Sequence, residues 1–392
     1  MKRIFLSLGL FIALGVNLSW SQETLDEVVS TPEIIEQYTY SEETPCVLAP
    51  LDINGYLNAG YFGNTNGSVY NGNANTGAES GGALNGTYLS IGKSVENNCC
   101  GFDFGFKTDI AFGEDTRFMR VNSGLDEDWY TGHDRRRNDT YGFALPQAYI
   151  DVAMNQWLVR VGHFYTPLGY ESGRADKRFF YTRSLSFDGL PVVQSGIIAY
   201  YKGFQNLEIG LGWTNGLNEG FDHEDGGSLF TMSAKYHFNE QTYFKYATVV
   251  GDIFDTPMTS GNFHMYGQLH SFVLESQLNR CLTAATTVDY QLYGISGKNE
   301  DSQRIIVGQH FYRQINNKWK LGMRLEWQKD EEEIKNDSEF VSMTFGGNWD
   351  PRASEHLVLR PELRYDKSTQ SIYNNGQDDN QLALAIDLLF RF

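Results

Sequence analysis

Alternation of apolar and polar side chains is the feature that most constrains how this chain folds. From Phe102 to Phe112 every second residue is Phe, Thr or Ile, and the residues between them are small or charged. Successive side chains of a β-strand point to opposite faces, so this segment has one apolar and one polar face. This segment is longer than a typical strand of a soluble protein, which has about five or six residues. The pattern therefore predicts long strands between an apolar and an aqueous environment.

The same alternation recurs to the end of the chain and predicts about sixteen strands, with a margin of about 14 to 18. Long and short connections alternate strictly between them, which is typical of a membrane barrel and requires an even number of strands. We expect an all-β fold: one transmembrane antiparallel up-and-down β-barrel with short periplasmic turns and long extracellular loops. The strands are predicted to begin near Leu51, Asn85, Gly101, Ala144, Trp157, Val192, Leu207, Ser228, Gln241, Asn262, Arg280, Ser302, Lys318, Ser338, Glu355 and Asn380.

The first residues predict export. A basic start at Lys2 and Arg3 precedes an apolar stretch and the small residues Ser19 and Ser21, which is typical of a signal peptide over residues 1–21. Residues 22–50 form an acidic segment that we expect to be a poorly ordered periplasmic leader. No later window reaches the ~18 apolar residues of a membrane helix, so only a barrel over 51–392 could cross a membrane.

Charge and motifs exclude several functions. The formal net charge of −18 disfavours nucleic acid, which requires clustered Lys and Arg. The sequence contains no GxSxG, HExxH or Walker motif, and we expect no catalytic activity, metal or cofactor. His163 and His310 could each pair with a serine, as in an outer-membrane phospholipase, but no Ser–His–Asn arrangement stands out.

The cysteines leave two readings open. Cys46 precedes the first strand, and Cys99 and Cys100 lie at the next short turn, so all three are expected on the periplasmic side. Export permits a disulfide from Cys46 to Cys99 or Cys100, and free thiols are the alternative.

Aromatic residues are expected to mark the two edges of the apolar band. Trp319 and Trp327 share one face of one predicted strand, about 20 Å apart along the membrane normal, which nearly matches the ~25 Å band of such barrels. The predicted girdle consists of Trp157, Trp213, Trp319, Trp327 and Phe392.

Several runs resemble the OmpL-like outer-membrane β-barrel porin family over Leu51–Phe392. The most specific run is Val161–Glu171, and weaker ones are Phe179–Ser184, Gly210–Gly216 and the stretch from Leu359 to Phe392. The resemblance implies a diffusion pore in the bacterial outer membrane, without catalytic residues. The terminal aromatic Phe392 resembles the strand signal that the barrel-assembly machinery recognises. Porins of this size are often trimers, so a homotrimer is an expectation.

The third long loop, residues 166–191, is expected to constrict the pore. In porins of this general type the third external loop folds inward, and the resemblance points to the same place. Its charges, with those of the polar strand faces, would set a field that selects solutes; the alternative is a solvated external loop. The candidate residues are Glu171, Arg174, Asp176, Lys177, Arg178, Arg183 and Asp188 in the loop, and Arg160, Arg324, Arg360 and Arg364 on the wall.

The resulting hypothesis is a porin for passive diffusion of small hydrophilic solutes or ions. Sixteen strands form a barrel too wide for side chains to fill, so an aqueous lumen follows. The main alternative is a non-channel outer-membrane barrel that acts as an adhesin or a surface receptor. A secreted soluble β-sandwich is a second alternative. The expected partners are the lipid bilayer and the solutes, without nucleic acid.

Overall fold

The computed structural model describes residues 50–65, 81–95, 101–121, 141–221, 227–258, 261–295, 301–331, 337–354, 356–374 and 376–392. The predicted signal peptide, the leader up to residue 49 and the predicted disulfide partners Cys46, Cys99 and Cys100 lie outside these residues. Among the described residues, no helix is both long and apolar enough to cross a membrane.

The described residues form sixteen strands, as the alternation predicts, and most begin within two residues of the predicted starts. The largest differences are at β2, which starts four residues earlier than expected at Gly81, and at β4, β11 and β15, which each differ by two. The strands are β1 (Asp52–Asn64), β2 (Gly81–Lys93), β3 (Phe102–Gly113), β4 (Gly142–Met154), β5 (Trp157–Tyr165), β6 (Val193–Tyr201), β7 (Leu207–Thr214), β8 (Ser228–Asn239), β9 (Thr242–Met258), β10 (Gly261–Asn279), β11 (Leu282–Ile295), β12 (Ser302–Asn316), β13 (Trp319–Glu331), β14 (Ser338–Trp349), β15 (Leu357–Ser368) and β16 (Asn380–Arg391).

Each strand pairs antiparallel with its sequence neighbours, and β1 pairs with β16 to close the barrel. Gly55 and the terminal Phe392 exchange two backbone hydrogen bonds of 3.0 Å at this seam. A closed barrel leaves no unpaired sheet edge, which is the condition for placing strands in lipid. The predicted up-and-down antiparallel barrel is confirmed.

The two faces of the barrel differ as the alternation requires. In β16, Leu384 and Leu388 are 62% and 45% exposed, whereas the intervening Asp387 is 1% exposed. Since the sheet is closed, the exposed apolar side chains form the outer surface and the alternating polar ones point inward. The outer surface is therefore apolar where lipid would contact it.

The alternation of long and short connections is not as strict as the sequence suggests. β9 and β10 have 17 and 19 residues, and only residues 259–260 separate them. Their register continues to the pair Met258–Gly261, so ladder hydrogen bonds extend this hairpin where a loop was expected. Conversely, seven residues, 350–356, separate β14 and β15 on the short-turn rim.

Candidate pore constriction

The segment between β5 and β6, residues 166–191, lies inside the barrel and is called the inner loop below. It contains a 3₁₀ turn at Ala175–Lys177 and one short helix, α1 (Leu185–Gly189). Ser184 caps α1, since its hydroxyl accepts a 3.0 Å hydrogen bond from the backbone N–H of Phe187. Asp188 is the one exposed residue of the inner loop. The other residues are buried or half-buried, because the loop packs against inward-facing side chains.

Apolar contacts fix both ends of the inner loop and α1. Leu168 and Leu190 pack in one buried cluster with Leu229 of β8, Val249 of β9 and Leu269 of β10. Burial of a side chain of this size stabilises by about 1.5–3 kcal/mol. These contacts hold the beginning and end of the loop against β8–β10.

The middle of the inner loop crosses to the opposite wall. Leu185 of α1 clusters with Ile306 of β12 and Phe340 of β14. Phe179 lies directly over Gly322 of β13, where an added Cβ would come within 2.3 Å of the ring. Glycine at this inward position therefore leaves room for the aromatic ring of the loop.

Carboxylates of the wall bind backbone N–H groups of the loop. Glu362 of β15 accepts hydrogen bonds from the amides of Tyr181 (2.8 Å) and Thr182 (3.2 Å) and from the Thr182 hydroxyl. Glu326 of β13 accepts one of 2.7 Å from the amide of Leu185. Hydrogen bonds to a charged acceptor are roughly twice as strong as neutral ones, so these contacts fix the loop backbone firmly.

The predicted wall arginines bind the carbonyl groups of the same loop. Arg324 donates to the Thr182 and Arg183 carbonyls at 3.2 and 3.0 Å, and Arg364 donates to that of Arg183 at 2.6 Å. Arg360 donates to the carbonyls of Ala175 and Arg178 at 2.8 and 2.9 Å. The acidic partners of the three wall arginines are Glu326 for Arg324, Asp387 for Arg360 and Asp366 for Arg364.

Within the loop, Arg178 and Arg183 share one carboxylate, that of Asp115. Their guanidinium nitrogens lie 3.0 and 3.1 Å from it. Asp115 belongs to a 3₁₀ helix, Glu114–Phe118, that directly follows β3. The guanidinium of Arg183 also lies 3.8 Å from the ring centre of Phe118. The connection after β3 was expected to be external, so sequence reasoning missed Asp115, and no local signal distinguishes it from a solvated loop residue.

The arginines keep two buried carboxylates ionised. Burial alone would raise the pKa of Asp115, but Arg183 and Arg178 hold it below the ordinary value. Burial acts in the same direction on Glu171, and Arg324 and Arg178 likewise hold the pKa of that carboxyl below its ordinary value. Burial and the neighbouring Arg178 lower the pKa of Arg183 to about 10, so this side chain remains charged at neutral pH.

Two further candidates take part in the same packing. Arg174 pairs with Asp176 at 2.9 Å and donates to Asn54 of β1 at 3.1 Å. Glu171 accepts a 2.7 Å hydrogen bond from the amide of Ser184. The structure thus brings Glu171, Arg174, Asp176, Arg178, Arg183, Arg324, Arg360 and Arg364 together with the inner loop.

Three candidates stand apart from this set. Arg160 pairs with Asp151 of β4 at 2.9 Å and stacks 3.7 Å from the ring centre of Tyr149. The Lys177 side chain has no hydrogen bond or ion pair to another described residue, and Asp188 is exposed. The sequence predicts that the arginines of the loop set an electric field in the lumen, but Arg183 is only 1% exposed. Arg174, Arg178 and Arg183 each pair with a carboxylate, so their charges lie within the packed loop.

The girdle residues lie on the outer surface. Trp157 and Trp319 begin β5 and β13 and are 47% and 37% exposed, and Trp213 is 55% exposed near the opposite end of β7. Trp327 is half-buried in the outward register of β13, and Phe392 is 53% exposed. Their role as a girdle stays a prediction.

His163, one of the two histidines considered for pairing with a serine, lies beside Ser195. His163 Nδ1 lies 2.8 Å from the Ser195 hydroxyl, and that hydroxyl donates to the carbonyl of Glu219 at 2.9 Å. Both side chains are fully buried, so the serine hydroxyl cannot be reached by a substrate. Within the described part of the chain, no cluster of His, Cys, Asp and Glu could hold a metal ion.

Comparison with solved structures shows the same fold at low sequence identity. The anion-selective porin from Comamonas acidovorans has a TM-score of 0.60 and 13% identity, over 88% of this chain and 99% of that chain. The outer membrane channel DcaP of Acinetobacter baumannii has a TM-score of 0.58 and 9% identity, over 90% of this chain and 100% of that chain. The trimer form of OmpT, an outer membrane protein of Vibrio cholerae, has a TM-score of 0.54 and 10% identity, over 88% of this chain and 99% of that chain. No curated protein matches the sequence.

The family assignment covers the whole described barrel. The family beta-barrel porin-2, OmpL-like, matches residues 50–392. This confirms the resemblance carried by the Val161–Glu171 run and the outer-membrane location that it implies. The chain belongs to the beta-barrel porin-2, OmpL-like family of outer-membrane β-barrels.

Proposed function

We propose that this protein is a porin, a passive water-filled pore for small hydrophilic solutes and ions that is narrowed by the inner loop. The carrying observation is a loop packed inside a closed sixteen-strand barrel with an apolar outer surface. A barrel of this width holds water that side chains alone cannot displace. The family assignment and the channel structures of the same fold support this proposal.

The proposed roles of the candidate residues divide into two groups. Arg324, Arg360 and Arg364 hold the inner loop against β13 and β15, and thereby set the width of the remaining passage. Arg174, Arg178 and Arg183, with Glu171 and Asp176, keep the loop folded inside. Arg160, Lys177 and Asp188 remain candidates for direct contact with solutes, because Arg160 lies on the wall outside the loop packing and Asp188 is the exposed residue of the inner loop.

Reconstitution in planar lipid bilayers tests the proposal. Purified protein is expected to produce stepwise increases in conductance at low applied voltage, and liposomes that contain it should swell in small sugars. An adhesin or surface receptor would insert without steps. Protein that remains folded and inserted but gives neither conductance nor swelling would contradict the porin function.

We also propose that the barrel assembles as a homotrimer. OmpT of Vibrio cholerae, which has the same fold, forms a trimer, and that likeness supports the proposal. Cross-linking in outer membranes is expected to yield a species of three chains, and a monomer under all conditions would contradict it.

Export and assembly complete the proposal. Residues 1–21 are proposed to be removed after export, so the mature chain should begin at Gln22, which N-terminal sequencing can test. Phe392 is proposed to serve as the assembly signal, in addition to its backbone bonds with Gly55. Replacement Phe392→Ala should reduce the amount of barrel in the outer membrane.

A further inference from the structure

Two lysines face each other directly across neighbouring strands on the inner wall. Lys235 of β8 and Lys245 of β9 are cross-strand partners, and partners in a ladder share one face. Lys245 Nζ donates a 2.6 Å hydrogen bond to the carbonyl of Gly169 in the inner loop. Both side chains therefore point into the barrel, at the edge of the inner loop.

Such a pair is unfavourable unless something offsets it. Like charges directly opposite in a sheet are destabilising, and elsewhere on this inner wall the arginines have carboxylate partners. Lys235 has none: its ammonium lies 4.3 Å from the ring centre of Tyr243. The described residues place no carboxylate oxygen within ion-pair distance of Lys235 or Lys245.

The nearest acids already have other partners. Glu208, which is opposite Lys235 in the register with β7, lies 3.4 Å from Lys202. Glu275 of β10 accepts a 2.6 Å hydrogen bond from the hydroxyl of Tyr170 in the inner loop. Asp289 of β11, whose charge also acts on Lys245, accepts a 2.5 Å hydrogen bond from the hydroxyl of Ser186 in the inner loop. These carboxylates contribute to the local field but leave both ammonium groups without a direct counter-ion.

The pair also remains accessible from the lumen. Lys235, Lys245 and Tyr243 are all half-buried, in contrast to the wall arginines beneath the inner loop, which are 1% exposed. By the short turn that joins β8 and β9, they lie in the periplasmic half of the barrel. A solute that passes the inner loop would meet them.

We propose that Lys235 and Lys245 form a binding step for small anions in the lumen, beside the inner loop. This inference rests on the proposed porin function and adds its charge selectivity. Paired cations on a pore wall attract anions and exclude cations. The lysines of β8 and β9 would therefore select anions over cations, whereas the arginines of the wall hold the loop.

Reversal potentials in a KCl gradient test the inference. The wild-type channel is expected to prefer chloride over potassium, and its conductance should saturate as KCl is raised. Lys235→Gln removes one charge and touches no loop contact. At a separation of about 7 Å in water, one charge changes the local concentration of a monovalent anion about threefold. We expect a loss of that size in the chloride-to-potassium permeability ratio, and a larger loss in Lys235→Glu.

The control and the contradicting outcomes are distinct. Lys367→Gln removes an exposed lysine that pairs with Asp379, far from the lumen, and should leave the ratio unchanged. Lys245→Gln should lower the ratio as Lys235→Gln does. A conducting channel whose ratio is the same in wild type, Lys235→Gln and Lys235→Glu would overturn the anion step. A wild-type protein without conductance would instead contradict the porin function itself.

Discussion

Arg324, Arg360 and Arg364 show how buried charge can hold a loop inside a barrel. Moving a charged group out of water costs several kcal/mol, and a buried ion is stable only when partners satisfy it. Here each guanidinium binds loop carbonyl groups on one side and a wall carboxylate on the other. The wall and the loop therefore depend on each other.

Glu362 accepts three hydrogen bonds from the inner loop and gives a direct test. Glu362→Ala removes the acceptor for the amides of Tyr181 and Thr182 and leaves buried donors without a partner. We expect the free energy of unfolding to fall by about 3–5 kcal/mol. The heat-induced shift on a denaturing gel should therefore occur at a lower temperature. Conductance steps should also become larger, because the loop is released.

Glu331 supplies the matched control for that substitution. It pairs with Lys329 at the exposed end of β13 and has no contact with the inner loop. Glu331→Ala should cost below about 1 kcal/mol, as for other exposed pairs. Equal effects of the two substitutions would contradict a special role for Glu362.

Acid is expected to release the inner loop. The pKa values of Asp115 and Glu171 are held below the ordinary values of 3.8 and 4.5. A depressed folded pKa gives stability that is complete above the ordinary value and is lost as the pH falls through the folded value. Single-channel conductance should be constant near neutral pH and rise below about pH 4. Asp115→Asn should weaken this dependence, and a wild-type conductance independent of pH down to about 3 would contradict it.

Only part of the site can be predicted from the sequence. The alternation places Arg324, Arg360 and Arg364 on the inward face, because parity along a strand is local information. It cannot reveal their partners, since the loop carbonyl groups lie more than a hundred residues away along the chain. The sequence therefore indicated charges that face solutes, whereas most of them bind the loop.

At the scale of elements, the inner loop also braces the seam between the first and last strands. The amide of Ala175 donates to the Tyr56 hydroxyl of β1 at 3.1 Å. Arg391 of β16 donates to the carbonyl of Asp176, also at 3.1 Å. Asn58 of β1 binds Asp387 of β16 at 2.7 Å. The loop thus contacts both sides of the joint at which the barrel closes.

Two cross-strand Arg–Asp pairs differ in their burial and in their contact with the inner loop. Arg360 pairs with Asp387 across β15 and β16 and also donates a hydrogen bond to the inner loop. Arg304 pairs with Asp330 across β12 and β13 and donates no hydrogen bond to the described residues of the inner loop. Arg360→Ala is expected to lower the temperature of the gel shift substantially more than Arg304→Ala. Equal shifts would mean that the loop does not brace the seam.

The strands were largely predictable, and their exceptions have physical causes. Period-two alternation identifies all sixteen, because each has one face toward lipid. It does not predict the length of the connection between β9 and β10, because their pairing continues to Met258 and Gly261. The position of residues 166–191 inside the barrel follows from contacts with distant strands, which alternation does not encode.

At the scale of the whole molecule, the outer surface should match a bilayer. If Trp157, Trp213, Trp319 and Trp327 form two girdles, they lie near the lipid head groups. Lipids brominated close to the head group should then quench tryptophan fluorescence more strongly than lipids brominated at the chain ends. The opposite order would contradict the girdle.

The central claim is that the inner loop narrows an open aqueous barrel, and single-channel conductance tests it most directly. A variant in which residues 173–188 are replaced by a short Gly-Ser linker should still show a heat-dependent gel shift, as a folded barrel does. We predict conductance steps at least about twofold larger than those of wild type, because a wider water column conducts more ions. Steps of unchanged size in that folded variant would contradict the claim.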